Sequence, residues 1–96
     1  MEIKSINYPS IELISVGGTI LNLNVIDFLN YTVPEKQSPY RRILESEIFS
    51  EAYILGSKLI WPKALIATVC SGDTQFHDAE FSETEILKYW REIKIG

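Results

Sequence analysis

Cys70, Asp73, His77 and Asp78 place one thiol, one imidazole and two carboxylates within nine residues. A soft ligand, a borderline ligand and two hard ones could hold a divalent metal if the intervening turn folded back. The same segment could carry a Cys–His nucleophile pair, because the thiolate is the reactive form and an imidazole stabilises it. The spacing matches no known signature, and no glycine-rich anion loop or second base lies nearby. The plainer reading makes Cys70 a small buried hydrophobe at a strand end, Asp73 a turn residue and His77 a loop or surface residue. That reading is adopted, so no catalytic, metal-binding or cofactor-binding residue is assigned.

Charge supplies the other candidates. Asp78, Glu80, Glu83 and Glu85 fall in eight residues that contain no base. Such a segment could dock a basic protein such as a toxin or nuclease, although acidic first turns also cap helices. Arg41-Arg42 is a basic doublet that could meet a phosphate or a partner's acidic face. Pairing with Glu45 along a helix is the simpler role. Gly17-Gly18 and Ser71-Gly72 resemble no phosphate loop and are read as turns.

The elements that must position these groups come from periodicity and punctuation. Ile3 and Ile6 mark a first strand over residues 1–8, though their spacing of three does not alternate. Pro9-Ser10 then breaks the chain. Residues 11–16 are β-rich, and Leu21, Leu23 and Val25 alternate with Asn22 and Asn24, which predicts a hairpin across Gly17-Gly18. Past Val25 the apolar phase flips to Ile26 and Phe28, read as a bulge or a doubly covered strand end within 19–29. Residues 30–39 read as a loop with two prolines. Ser38-Pro39 then opens a helix to about residue 50, with Tyr40, Ile43, Leu44 and Ile48 on one face.

Tyr53-Ile54-Leu55 and Leu59-Ile60-Trp61 flank Gly56-Ser57, a two-residue hairpin turn that pairs Ile54 with Leu59 and Tyr53 with Ile60. Pro62 is expected to end that strand. Residues 64–70 form another strand or a helical turn, and Ser71–Thr74 a turn. Ser82 and Glu85 form a capping box with a Phe81–Ile86 staple, opening a helix over 83–94. Its stripe is Ile86, Tyr89, Trp90 and Ile93, with Lys88, Arg91 and Lys94 towards the end.

The chain has 96 residues, 46% hydrophobic and 23% charged. One domain spanning 1–96 with one modest core follows from that size. One Cys and one His exclude a disulfide scaffold and a Cys₄ or Cys₂His₂ zinc site. Nine basic against thirteen acidic residues, a net charge of −4, disfavour general nucleic-acid binding. No signal peptide, membrane span or lipidation motif is read, so the cytoplasm is the expected compartment. Trp61, Trp90, Tyr53, Tyr89, Phe49, Phe76 and Phe81 exceed what a small core holds, so some should anchor an interface.

Asn24-Val25-Ile26-Asp27-Phe28-Leu29, then Ile48-Phe49, then a hairpin closing on Leu59-Ile60-Trp61-Pro62, resembles the bacterial domain of unknown function 2442 family. The resemblance spans roughly residues 12–65. It implies a small α+β module, often encoded beside toxin-like proteins, with no established catalytic residues to carry over. Lys63 departs from the Asn or Asp that the family commonly carries after Trp-Pro. The C-terminal segment of about thirty residues lies outside the resemblance.

The expectation is a single α+β domain, with a largely antiparallel sheet of four to five strands under two helices, about 39–50 and 83–94. The expected function is a non-catalytic protein-binding module, antitoxin-, immunity- or inhibitor-like. Its partner-binding candidates are Asp78, Glu80, Glu83, Glu85, Arg41 and Arg42. The alternatives are a small metal- or thiol-dependent enzyme centred on Cys70 and His77, and a self-associating structural protein or homo-oligomer.

Overall fold

Asn24 decides where the first sheet stops. In the computed structural model, which describes residues 1–35 and 38–95, its side chain accepts a hydrogen bond from the Asp27 N–H at 3.1 Å. That bond caps helix α1 (Val25–Thr32). The phase flip at Val25 is therefore neither a bulge nor a doubly covered stretch of a strand over 19–29: the strand ends at Asn24, and period two gives way to period 3.6. Val25, Phe28 and Leu29 turn inward from the new helix, which also takes up the start of the expected loop. Lys36 and Gln37 of that loop, and the side chain of Lys94, lie outside the described residues.

Upstream of this cap are β1 (Glu2–Asn7), β2 (Ser10–Ile14) and β3 (Ile20–Asn24), paired antiparallel in chain order. Tyr8 and a cis Pro9 form the tight link between β1 and β2. The odd spacing of Ile3 and Ile6 has a simple cause. Register shifts between Ile3 and Ser5, so Ile3 pairs with Leu13 and Ile6 with Ile11, and both reach the same face. The β2–β3 link is a three-residue loop rather than a Gly-Gly turn. Ser15 bonds Thr19 across its base at 2.9 Å, and only Gly18 takes a positive φ, 85°.

The helix expected over 39–50 is two short pieces. Ser38 caps a 3₁₀ helix, Pro39–Leu44, by accepting from the Tyr40 N–H. The chain turns extended at Glu45 and makes one turn of α2 (Ser46–Phe49). An extended backbone at Glu45 ends the helical hydrogen bonding that apolar spacing alone would have continued.

The second sheet contains β4 (Tyr53–Leu55), β5 (Lys58–Thr68) and β6 (Thr74–Ser82), antiparallel in that order. Tyr53 pairs with Ile60 and Ile54 with Leu59, as the Gly56-Ser57 turn demands, and Gly56 carries the positive φ of 63°. Pro62 does not end the strand. Register slips between Trp61 and Leu65, Lys63 takes a φ of 56°, and β5 resumes as the strand expected over 64–70. The bulge gives proline a place without a ladder donor. Three contacts hold it. The Lys63 N–H donates to Asp78 Oδ1 at 3.0 Å, and Arg42 Nη1 donates to the carbonyls of Lys63 and Ala64. Strand β6 fills the stretch between the expected Ser71–Thr74 turn and Ser82, for which the sequence pattern names no element.

The fold is thus α+β and antiparallel, but as two three-stranded sheets rather than one of four to five. The reason is α1 and the two short helices, which carry the chain away after β3 and deliver β4 to a new ladder. Ser82 then caps α3 (Glu83–Tyr89), which widens into π-helical turns over Trp90–Ile95. Phe81 and Ile86 are both buried, as a staple requires. One core joins the layers, with Ile11, Leu13, Leu21 and Leu23 from the first sheet meeting Trp61, Phe81 and Tyr89.

Candidate functional site: the outer face of the second sheet

Side chains alternate along a strand, so pairing decides which residues share a face. Leu59, Trp61, Ala79 and Phe81 point into the core. The opposite face therefore carries Tyr53 and Leu55 from β4, Lys58, Ile60 and, beyond the bulge, Ile66 from β5, and Phe76, Asp78 and Glu80 from β6. Ile60, between Tyr53 and Glu80 on this face, is buried and stands apart from the core cluster. Tyr53 is 40% exposed, Leu55 64%, Ile66 42% and Phe76 54%. Half of the large hydrophobics exposed among the described residues thus lie on one face of one sheet, including the directly paired Ile66 and Phe76. Tyr53 and Leu55 sit at one end of this face and the Ile66–Phe76 pair at the other, with Lys58, Asp78 and Glu80 between them, the mix of apolar anchors and charge found at interaction sites.

Beyond the bulge, β5 and β6 continue as a two-stranded ribbon. From Ile66 to Asp78 every residue except the half-buried Val69 is exposed. The ribbon stretches the molecule to 46 × 24 × 22 Å. It also raises the radius of gyration to 13.8 Å, where a compact chain of this length would have about 12.5 Å. An isolated two-stranded hairpin is marginal in water, so this one draws its order from the three-stranded root.

Two of the six sequence-derived partner-binding residues, Asp78 and Glu80, fall on the outer face. Asp78 accepts from the Lys63 N–H, and Glu80 stands 3.5 Å from the Lys58 ammonium, an exposed pair worth little in stability. Glu83 and Glu85 are elsewhere, at the start of α3. Glu83 accepts from the Val16 N–H at 3.4 Å, and the Glu85 N–H donates to Ser82 Oγ. Both are accounted for by tying and capping. Arg41 is held by Asn30 and the Val33 carbonyl, and Arg42 by the bulge and, at 3.6 Å, by Glu45. The two guanidiniums therefore serve the fold.

The Cys70–Asp78 cluster is drawn out along the ribbon. Cys70 opens a three-residue loop closed by Val69 and Asp73, and it is exposed rather than buried. His77 pairs with Leu65, so Cys70 lies about 16 Å farther along the strand at 3.3 Å per residue. Asp73 accepts from Ser71 Oγ. Among the described residues no group of three metal-ligating side chains comes together. Ile66 is what the sequence reading passed over, and Phe76 entered it only as one of the surplus aromatics. The Ile66–Phe76 pairing depends on the bulge, which no local pattern announced.

A cleft lined by Tyr31, Thr32, Glu85 and Lys88 separates α1 from α3. The Tyr31 hydroxyl donates to Glu92, which holds that phenol above its ordinary value of 10.0, with burial and the carboxylate's charge adding to the effect. Burial first, then the charge of Asp27, raises Tyr89 as well. Folding is therefore undisturbed by these phenols below pH 10, and stability falls as pH climbs from there through the higher folded values, because the folded state resists their ionisation. Phenolate absorbance should therefore show two late-ionising tyrosines, with Tyr31→Phe and Tyr89→Phe each deleting one. The Tyr89 hydroxyl is buried with no partner among the described residues. Tyr89→Phe should leave stability unchanged or raise it by up to about 1 kcal/mol in urea titrations. A loss of stability would mean the hydroxyl is satisfied after all.

No helix among the described residues is long and apolar enough to cross a membrane. Compared with known proteins, the chain matches no family model, no curated protein and no solved structure.

Proposed function

We propose that the chain is a small non-catalytic protein-binding module of the antitoxin, immunity or inhibitor kind, and that it holds its partner on the outer face of the second sheet. The observation that carries this reading is the shared exposure of Tyr53, Leu55, Ile66 and Phe76 beside Asp78 and Glu80. Residues 64–87 contain five acids and no Lys or Arg, so a basic partner suits this surface.

Affinity capture from the native source tests it. The tagged chain should retain one basic protein in fixed ratio. Phe76→Ser should lose it, because an aromatic anchor contributes about 2 kcal/mol to binding, and Ile66→Ser should weaken it by removing the apolar side chain paired with that ring. Both variants should keep the wild-type melting curve, as exposed positions change stability by about 0.5 kcal/mol or less. Val16→Ser, exposed at the tip of the β2–β3 loop, is the control. Equal loss from the control, or a chain that instead forms dimers through the same face in light scattering, would sink the reading.

A further inference from the structure

Strand β6 is the outer strand of its sheet, and its backbone pairs only with β5 among the described residues. Nine residues of open edge are unusual. Proteins blunt such edges with lysines, prolines, bulges or covering elements. Between Thr74 and Ser82 there is no Lys, Arg or Pro, the register slip lies on β5 instead, and the charged side chains are Asp78 and Glu80, which turn away an acidic strand but not a cationic one. The other edges differ. β4 has three residues, and β1 lies beside it across an apolar groove lined by Met1, Ile3, Ile6, Ala52, Tyr53 and Ile54.

We infer that β6 is a strand acceptor, and that its occupant is an extended cationic segment of the partner, added as a fourth strand to the second sheet. This rests on the protein-binding reading above and specifies how the partner is held. Directly opposed side chains interact across a ladder. A strand laid along β6 would face Phe76, Asp78 and Glu80 in turn on the outer side. The complement is an apolar residue followed by Lys or Arg two and four positions away. Charge decides against a second copy of this chain. Two β6 edges brought together would place Asp78 and Glu80 of both copies in one ladder with no cation on either strand. Main-chain hydrogen bonds would supply affinity, and the alternating side chains specificity.

The test uses three synthetic peptides with the full-length chain. One carries the apolar–Lys–Lys alternation, one replaces both lysines by Glu, and one keeps the lysines but has alternate backbone nitrogens methylated along one edge. Amide exchange followed by NMR at millimolar peptide is the readout. The lysine peptide should slow exchange at every second amide from Thr74 to Glu80, because outward N–H groups alternate along an edge strand. The Glu peptide and the methylated peptide should each bind about tenfold more weakly or worse. No binding by the lysine peptide would overturn the assignment. So would protection of the same amides that rises with protein concentration alone, which would give the edge to a second copy. Equal binding of the methylated peptide without alternating protection, but lost in Phe76→Ser, would also overturn edge addition while leaving recognition by the outer face standing. If Phe76→Ser still captures the native partner, it is the protein-binding reading at this face that fails.

Discussion

Trp61→Ala should cost about 3–5 kcal/mol, among the largest losses any single substitution in this chain can cause. A domain of this size has only about 5–15 kcal/mol in total, so the variant should be largely unfolded at physiological temperature or melt far below wild type. Three features converge on the indole. It is fully buried, it sits within 6.3 Å of the Phe49 ring and 5.9 Å of the Phe81 ring, and its Nε1–H donates to the Phe49 carbonyl at 3.2 Å. It therefore links α2 to the second sheet one residue before Pro62 begins the bulge. Trp61→Phe separates the contributions. It keeps most of the packing and deletes the indole donor, while the Phe49 carbonyl still accepts from the Ala52 N–H at 3.4 Å, so a loss of about 0.5–1.5 kcal/mol is expected. Urea titrations followed by far-ultraviolet circular dichroism measure both. If the two variants were equally mild, the indole would not be the keystone of this sheet.

Phe28→Ala should cost a comparable amount, about 3–5 kcal/mol, for a different reason. Phe28 sits on α1, the helix that ends the first sheet, and its ring lies edge-on to Phe81 at 5.0 Å and to Tyr89 at 5.5 Å. Those partners belong to the second sheet and to α3. The ring is thus where the two sheets and the C-terminal helix meet, and its removal opens a cavity that several elements border and none can fill alone. Edge-on aromatic pairs add roughly 0.5–1.5 kcal/mol beyond burial. A double-mutant cycle with Phe81→Leu should recover a coupling of that size. Strict additivity in the cycle would show that the rings merely occupy the same core without interacting. Loss at Phe28 should also weaken the ribbon, because Phe81 anchors the root from which β6 projects.

Much of the fold was legible because its signals are local. Ser82 and Glu85 announce α3, and Ser38-Pro39 announce the 3₁₀ helix, since a cap acts within three residues of itself. Gly56-Ser57 sets the β4–β5 register because a two-residue turn leaves one way to pair its flanks. The misreadings share a cause. Asn24 looked like the polar phase of a strand and was an N-cap, two uses of one amide that only its neighbours' backbone distinguishes. Pro62 looked terminal, yet a bulge with Lys63 in the left-handed region carries the strand past it. The aromatic surplus was readable as a number, but not its division. Trp61, Tyr89, Phe49 and Phe81 are buried, while Tyr53 and Phe76 are exposed.

The candidate site shows the same limit more sharply. Asp78, Glu80, Glu83 and Glu85 form one acidic run in sequence, but β6 and α3 divide it between a sheet face and a helix cap. Cys70, Asp73 and His77 are neighbours in sequence, but an extended ribbon strings them out. By itself the sequence determined the turns, the caps, an acidic balance and the α+β class, all properties set by residues a few positions apart. Only the tertiary structure decided that Ile66 and Phe76 would pair beyond a bulge and stay exposed on the same sheet face as Tyr53 and Leu55. Exposure belongs to no residue alone. It is what remains after every other element has packed, and that sum is settled by contacts between parts of the chain far apart in sequence.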